Sequence, residues 1–142
     1  MAIAFDAATN GGTAVAASLT FAHTCTGSNL ILWVAVENNN STNNNFPTGV
    51  TYATVAMTQY KTDNPGAGAH SLWYLVAPAT GANNVVVSVD RADNSIWAVA
   101  SSYTGAAQTG QPDSGSTTAI DPGTTLTGST TTIADNCWVV ST

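Results

Sequence analysis

The sequence predicts an all-β protein built as a two-sheet antiparallel sandwich. Apolar and polar residues alternate over short stretches rich in Val and Thr, which is the pattern of half-buried strands. Clusters of Gly, Pro and Asn separate these stretches at short intervals, as turns separate the strands of a sandwich. Good helix formers such as Glu, Lys, Gln and Arg are scarce, since Lys and Arg together number 2 and Glu37 is the one glutamate.

Strand signals recur along the whole chain. In chain order, the candidate strands are residues 2–7, 18–24, 30–36, 50–60, 70–77, 84–89, 96–103, 124–132 and 137–141. The segment 30–36 is apolar at every position, which predicts a central strand that is buried on both faces. Its second face would be covered by a packed or oligomeric surface, or equally well by a loop that folds over the sheet.

Length and composition predict one domain, spanning residues 1–142, with an unusual surface. Hydrophobic residues make up 44% of the chain, which is enough for a packed core. Charged residues make up only 7%, far below the roughly 25% of ordinary soluble domains. Thr, Ser, Asn and Gly take their place. A surface solubilised by hydroxyls and amides is typical of extracellular and virion proteins, so we expect an extracellular or virion-surface location.

The charge balance argues against several partners. Lys61 and Arg91 are the only cationic side chains and the formal net charge is −6, which disfavours nucleic acid because Lys and Arg neutralise its phosphates. No apolar run approaches the roughly 20 residues that cross a bilayer, so we expect no membrane insertion. The first residues lack the pattern of a signal peptide, which suggests a removed leader or another route of export, such as release within a virion.

The residues that carry enzymatic or metal chemistry form no recognisable motif. His23 and His70 are the only histidines, and neither belongs to a sequence pattern of a catalytic site. Cys25 and Cys137 have no metal-ligand spacing; they are either two small buried hydrophobic residues or the partners of a disulfide. We therefore expect no enzyme activity, no cofactor and no metal site.

An asparagine-rich segment, residues 37–45, is the most distinctive loop. It is either a recognition loop that presents hydrogen-bonding groups to a glycan or protein, or an exposed low-complexity connection between two strands. The candidate recognition residues are Asn38, Asn39, Asn40, Ser41, Asn43, Asn44 and Asn45. All four tryptophans lie in apolar strand segments, where core packing is expected and an exposed sugar-stacking platform is the exception.

Several segments, taken in order, resemble a known group of domains. They are AIAFDAA, SLTFAHTCTGSNLILWVAV, GVTYATVAMT, SLWYLVAPATGANNVVVSV, AVASSYTGAAQTGQPD and TTTIADNCWVV. The chain resembles a broad, poorly characterised family of β-sandwich domains found in bacterial surface proteins and in phage and metagenomic virus proteins. The resemblance implies a jelly-roll-like sandwich without enzymatic activity, and an immunoglobulin-like sandwich is the alternative.

The chain departs from that family at two places. Ala53 and Thr54 stand where the family has a pair of glycines, which makes the tight turn there less certain. Family members also continue through further strands beyond the one that matches residues 137–140, so we expect a sandwich that is incomplete at its C-terminus. An incomplete sheet exposes an unpaired edge, and we expect residues 137–142 and that edge to be completed by a neighbouring subunit or by further chain.

Together these observations predict a non-enzymatic structural subunit of an extracellular or virion assembly. Capsid-decorating, tail-associated and filament-forming subunits fit this description, with identical copies or other structural subunits as partners. The alternative is a carbohydrate- or receptor-binding surface module, which would use the asparagine-rich loop and any solvent-facing Trp or Tyr.

Overall fold

The computed structural model describes residues 2–39, 46–63, 68–93, 95–113, 130–133 and 137–140. These residues form strands and no helix. In chain order the strands are β1 (Ala4–Val15), β2 (Ser18–Cys25), β3 (Ile31–Asn39), β4 (Gly49–Tyr52), β5 (Val55–Ala56), β6 (Thr58–Asp63), β7 (Ala69–Val76), β8 (Gly81–Ser88) and β9 (Ser95–Thr104). They build two antiparallel sheets that pack face to face, so the predicted two-sheet sandwich is confirmed.

The strand order is that of a jelly roll. The larger sheet has the order β1-β9-β3-β7-β6 and the smaller sheet the order β2-β8-β4-β5. Pairing is nested: β1 pairs with β9, β2 with β8, β3 with β7 and β4 with β5, while β6 is added beside β7. This is the order produced when one long hairpin rolls up into two sheets. An immunoglobulin-like sandwich pairs its first two strands, whereas β1 and β2 lie in different sheets here.

Strand β1 runs well beyond the predicted segment 2–7, through a glycine pair that reads as a turn in the sequence. The side chain of Asn10 accepts a hydrogen bond from the backbone N–H of Gly12 at 2.9 Å, and Gly12 has a φ of 74°. The register with β9 shifts between Asn10 and Thr13. The glycines therefore form a β-bulge, which bends the strand without ending it.

A two-residue turn joins β4 to β5. Ala53 and Thr54 both have left-handed backbone conformations, with φ values of 49° and 69°, and Tyr52 pairs directly with Val55. Two successive residues with positive φ are typical of the type I′ hairpin turn, where Asn-Gly is usual. The tight turn thus forms without glycine, and the β-branched Thr54 lies in a strained conformation.

The C-terminal segment differs from the prediction. Residues 130–133 and 137–140 have no strand structure, and the remainder of the predicted strands 124–132 and 137–141 lies outside the described residues. The prediction of a strand at 137–140 is therefore wrong, and that segment offers no strand edge for a neighbour to extend. Trp138 instead lies against Tyr103 with ring centroids 5.5 Å apart, on the outer face of the larger sheet, and Val140 packs nearby.

The first half of strand β3, Ile31 to Val34, is buried on both faces, as predicted, whereas the outer face of its second half is only half-buried. The inner-facing Leu32 and Val34 are fully buried in the main core between the sheets. The outer-facing Ile31 and Trp33 are also buried, because Trp33 packs against Tyr60 and Tyr74 and because residues from beyond β9 cover this end of the sheet. A segment of the same chain thus covers the second face at this end.

Candidate functional site

Asp6, His23 and Ser102 meet where β1, β2 and β9 come together. Ser102 lies on the inner face of β9, and its hydroxyl is 2.6 Å from Asp6 Oδ2 and 3.1 Å from His23 Nε2. His23 Nδ1 is 2.8 Å from the hydroxyl of Thr9 on β1. The sequence analysis did not find this group, because its members are separated by 79 and 96 positions and only the jelly-roll pairing brings them together.

The hydrogen bonds have one consistent direction. Asp6 is a carboxylate, so the Ser102 hydroxyl donates to it and accepts from His23 Nε2–H. Nδ1 then accepts from Thr9, and the imidazole is neutral with its proton on Nε2. Burial lowers the pKa of His23, although the Asp6 charge acts in the opposite direction.

The Asp6 carboxylate is held in its charged form. Burial acts to raise its pKa, but hydrogen bonds donated by Ser102 and by the backbone and hydroxyl of Thr26, together with the nearby His23 ring, outweigh this effect. The net result is a pKa below the ordinary value. Because Thr26 follows β2 and Asp6 belongs to β1, these bonds also tie the two sheets together at their edge.

This group contains the residue types of a serine hydrolase, but its arrangement does not support that chemistry. In a catalytic triad the histidine lies between serine and aspartate and takes the serine proton. Here the serine lies in the middle and its proton points to the carboxylate. Ser102 is 0% exposed and His23 is 1% exposed, so a substrate cannot reach the serine hydroxyl or the imidazole ring. The arrangement supports a buried hydrogen-bonded brace between the sheets.

Cys25 and Cys137 are free thiols in the structure. Cys25 is fully buried beside this brace, and burial raises the pKa of its thiol, which keeps it protonated and unreactive. Cys137 is half-buried, and its sulfur lies 3.1 Å from Asp113 Oδ2. The thiol donates this hydrogen bond, since the carboxylate can only accept.

The outer face of the larger sheet carries three aromatic rings in edge-to-face contact at one end. Phe5 lies against Tyr103 with ring centroids 6.1 Å apart, and Trp138 contacts the same tyrosine from the C-terminal segment. Phe5 is 56% exposed and Trp138 is 51% exposed. We call Phe5, Tyr103 and Trp138 the aromatic patch.

The other end of the same face carries one exposed indole, with the exposed Val15 and Val99 beside it. Five residues, one from each strand of the sheet, form a continuous row across it, which we call the Trp97 row: Thr13, Trp97, Glu37, His70 and Asp63. Trp97 is 40% exposed. The expectation of core packing is confirmed for Trp33 and Trp73, at 7% and 6% exposure, and is wrong for Trp97 and Trp138.

The predicted recognition loop is described only at its start. Asn38 belongs to the inner face of β3 and is 1% exposed, so its side chain does not reach the surface. Asn39 is half-buried and pairs with Ser95 of β9 at the end of the strand. The remaining candidates lie outside the described residues: Asn40, Ser41, Asn43, Asn44 and Asn45.

No protein family, curated protein or solved structure matches this chain. The resemblance to the family of jelly-roll-like domains therefore rests on the sequence segments alone. Within the described part of the chain, no cluster of three or more His, Cys, Asp or Glu side chains could hold a metal ion. The same residues include no helix of the length and apolarity that crossing a bilayer requires.

Proposed function

We propose that this protein is a non-enzymatic structural subunit of an extracellular or virion assembly, which packs against identical copies or other structural subunits through the aromatic patch. The observation that carries the proposal is the exposure of Phe5 and Trp138, which leaves more than half of each side chain in water. Capsid decoration, a tail-associated role and filament formation are all compatible with such a contact.

The physical argument starts from the cost of exposed aromatic surface. A fully buried aromatic side chain covers about 150 to 250 Å², so each of these two exposes about 100 Å² that a partner could cover. At about 25 cal/mol per Å², burying that area on both residues would contribute about 5 kcal/mol to association. Tryptophan is also enriched among the residues that dominate interface energies.

The position of the patch favours a broad contact. Phe5 and Tyr103 are neighbours across β1 and β9, so their rings stand on a sheet face and not on a loop tip. Two further apolar side chains of the C-terminal segment are exposed, Ile133 at 83% and Val139 at 69%. Charged residues are depleted in the centres of protein interfaces, and this chain has few of them anywhere.

The test is the oligomeric state of the full chain, measured by light scattering coupled to size exclusion over a range of concentrations. We expect the wild-type protein to form oligomers and the double variant F5S/W138S to shift toward the monomer. The matched control is Val55→Ser, because Val55 is 52% exposed on the smaller sheet and lies outside the patch.

Two outcomes would overturn the proposal that copies associate through this patch. One is a wild-type protein that remains monomeric at every concentration. The other is a double variant that assembles as well as the control. Urea unfolding of all three proteins verifies that a loss of assembly does not reflect a loss of folding.

A further inference from the structure

We infer that the Trp97 row is a binding site for a neutral oligosaccharide. It lies at the end of the sheet face opposite the aromatic patch. Trp97 and Tyr103 are six residues apart on β9, which corresponds to about 20 Å along the strand. The inference is independent of the proposed assembly contact, because the two surfaces share no residue.

The first step concerns the indole. Alternate residues of β9 point to opposite faces, so the buried Ile96 and Ala98 place Trp97 on the outer face, where it is 40% exposed. One flat face of a pyranose ring carries mainly C–H groups, and these stack on an aromatic ring because its face is electron-rich. Trp97 offers such a platform at the surface of a rigid strand that is paired on both sides.

The second step concerns the side chains around the indole. Trp97 is flanked by Thr13 on β1 and by Glu37 on β3, and His70 is the next residue of the row. Directly opposed side chains in a sheet have Cβ atoms roughly 4.5 to 5.5 Å apart, which is comparable to the width of a sugar ring. A hydroxyl and a carboxylate therefore flank the platform at a spacing that suits sugar hydroxyls, and the imidazole of His70 lies beyond the carboxylate, one strand further away.

Glu37 is half-buried on the outer face of β3, so part of its side chain is open to solvent beside the indole. Single exposed apolar side chains are common on protein surfaces, and Val15 and Val99 are also exposed on this face. The polar partners Thr13 and Glu37, directly opposite the indole on the two neighbouring strands, are what favour a sugar over a purely apolar ligand.

The third step selects the class of sugar by charge. The row contains two carboxylates, Glu37 and Asp63, while the one lysine nearby, Lys61, belongs to the adjacent row beside Leu72. Sialylated, sulfated and uronic-acid glycans would be repelled by the carboxylates, and the same argument disfavours phosphate-bearing ligands. Neutral oligosaccharides, whose hydroxyls both donate and accept, match the row.

The experiment uses the full labelled chain on an array that carries neutral and acidic glycans, followed by calorimetric titration of the best neutral glycan. We expect binding to the neutral set, and a Trp97→Ala variant should weaken it about tenfold, the factor that corresponds to losing about 1.4 kcal/mol. Glu37→Gln provides a second variant, with a several-fold loss expected because the amide keeps the shape and removes the charge. The matched control is Val55→Ala, which truncates an exposed apolar side chain of the smaller sheet, outside both surfaces, and should leave affinity unchanged.

Four results would overturn the inference. The first three are the absence of neutral-glycan binding at millimolar concentrations, a preference for acidic glycans, and binding that persists unchanged in both Trp97→Ala and Glu37→Gln. A protein ligand captured by this face in the absence of glycan binding would also reject it. Failure of the assembly proposal appears instead in the light-scattering data of the Phe5 and Trp138 variant, so the two failures are distinguishable.

Discussion

The substitution Ser102→Ala tests the buried brace most directly. Ser102 is fully buried, and its hydroxyl links the Nε2–H of His23 to the carboxylate of Asp6. Removing the hydroxyl leaves a buried N–H without its acceptor, which costs about 1 to 2 kcal/mol. It also removes a charge-assisted bond to Asp6. Because Asp6 is half-buried, water replaces part of that bond, and we expect a further cost of about 1 kcal/mol.

The expected total is a loss of about 2 to 3 kcal/mol in the free energy of unfolding. Urea denaturation at neutral pH, followed by tryptophan fluorescence, measures it. The matched control is Ser101→Ala, since Ser101 is the adjacent serine on the outer face and is only half-buried. A change within about 0.5 kcal/mol is expected there. If the two alanine variants are equally stable, or if Ser102→Ala unfolds at the wild-type urea concentration, the brace does not stabilise the fold.

Three further predictions concern the pH response of the brace, the turn between β4 and β5, and the bulge in β1. Folding lowers the pKa of His23 from 6.5 and the pKa of Asp6 from 3.8. Just below each of these values the unfolded chain therefore binds more protons than the folded chain. The free energy of unfolding should decrease as pH falls below about 6.5, and again as it falls below about 3.8. Urea unfolding at stepped pH measures this, and a flat profile between pH 7 and 4 would contradict it. Thr54→Gly should raise the free energy of unfolding by about 0.5 to 1 kcal/mol in urea titrations. The reason is that relief of the strained positive φ at Thr54 exceeds the entropy that glycine adds to the unfolded chain. A variant that is less stable than wild type would show that the turn is not strained. Gly11→Ala should lower the free energy of unfolding by about 2 kcal/mol, measured by thermal or urea unfolding, because the alanine methyl group would lie 2.5 Å from the Phe21 ring. Unchanged stability would mean that the bulge can move aside.

The fold class was predictable because it depends on local patterns. Alternation such as that in β2, with Leu19, His23 and Cys25 buried between exposed neighbours, identifies a half-buried strand without knowledge of its partner. The two-sided burial of the first half of β3 was equally readable from its continuous apolar run. Strand ends were less predictable: the Asn10 to Gly12 segment has the residues of a turn, and only the position of β9 beside it turns this segment into a bulge.

The tryptophans show that a local sequence pattern does not predict whether a side chain is exposed. Trp33 and Trp97 both lie in apolar strand segments, but one is buried and the other exposed. The difference arises because Tyr60 and Tyr74 stand beside Trp33, whereas Thr13 and Glu37 stand beside Trp97. A side chain's neighbours across a sheet come from distant parts of the sequence, so its exposure depends on the strand order.

The amino-acid sequence by itself determined that this protein is a low-charge β-sandwich whose strands alternate between a core face and an outer face, because strand periodicity and turn chemistry act between residues close in the chain. Only the tertiary structure decided which side chains meet. The nested pairing of β1 with β9 and β2 with β8 brings Asp6, His23 and Ser102 into one buried brace and separates the aromatic patch from the Trp97 row. These groupings depend on register between strands that are up to 100 positions apart, as in the pairing of Ala4 with Thr104, and no local pattern carries that information.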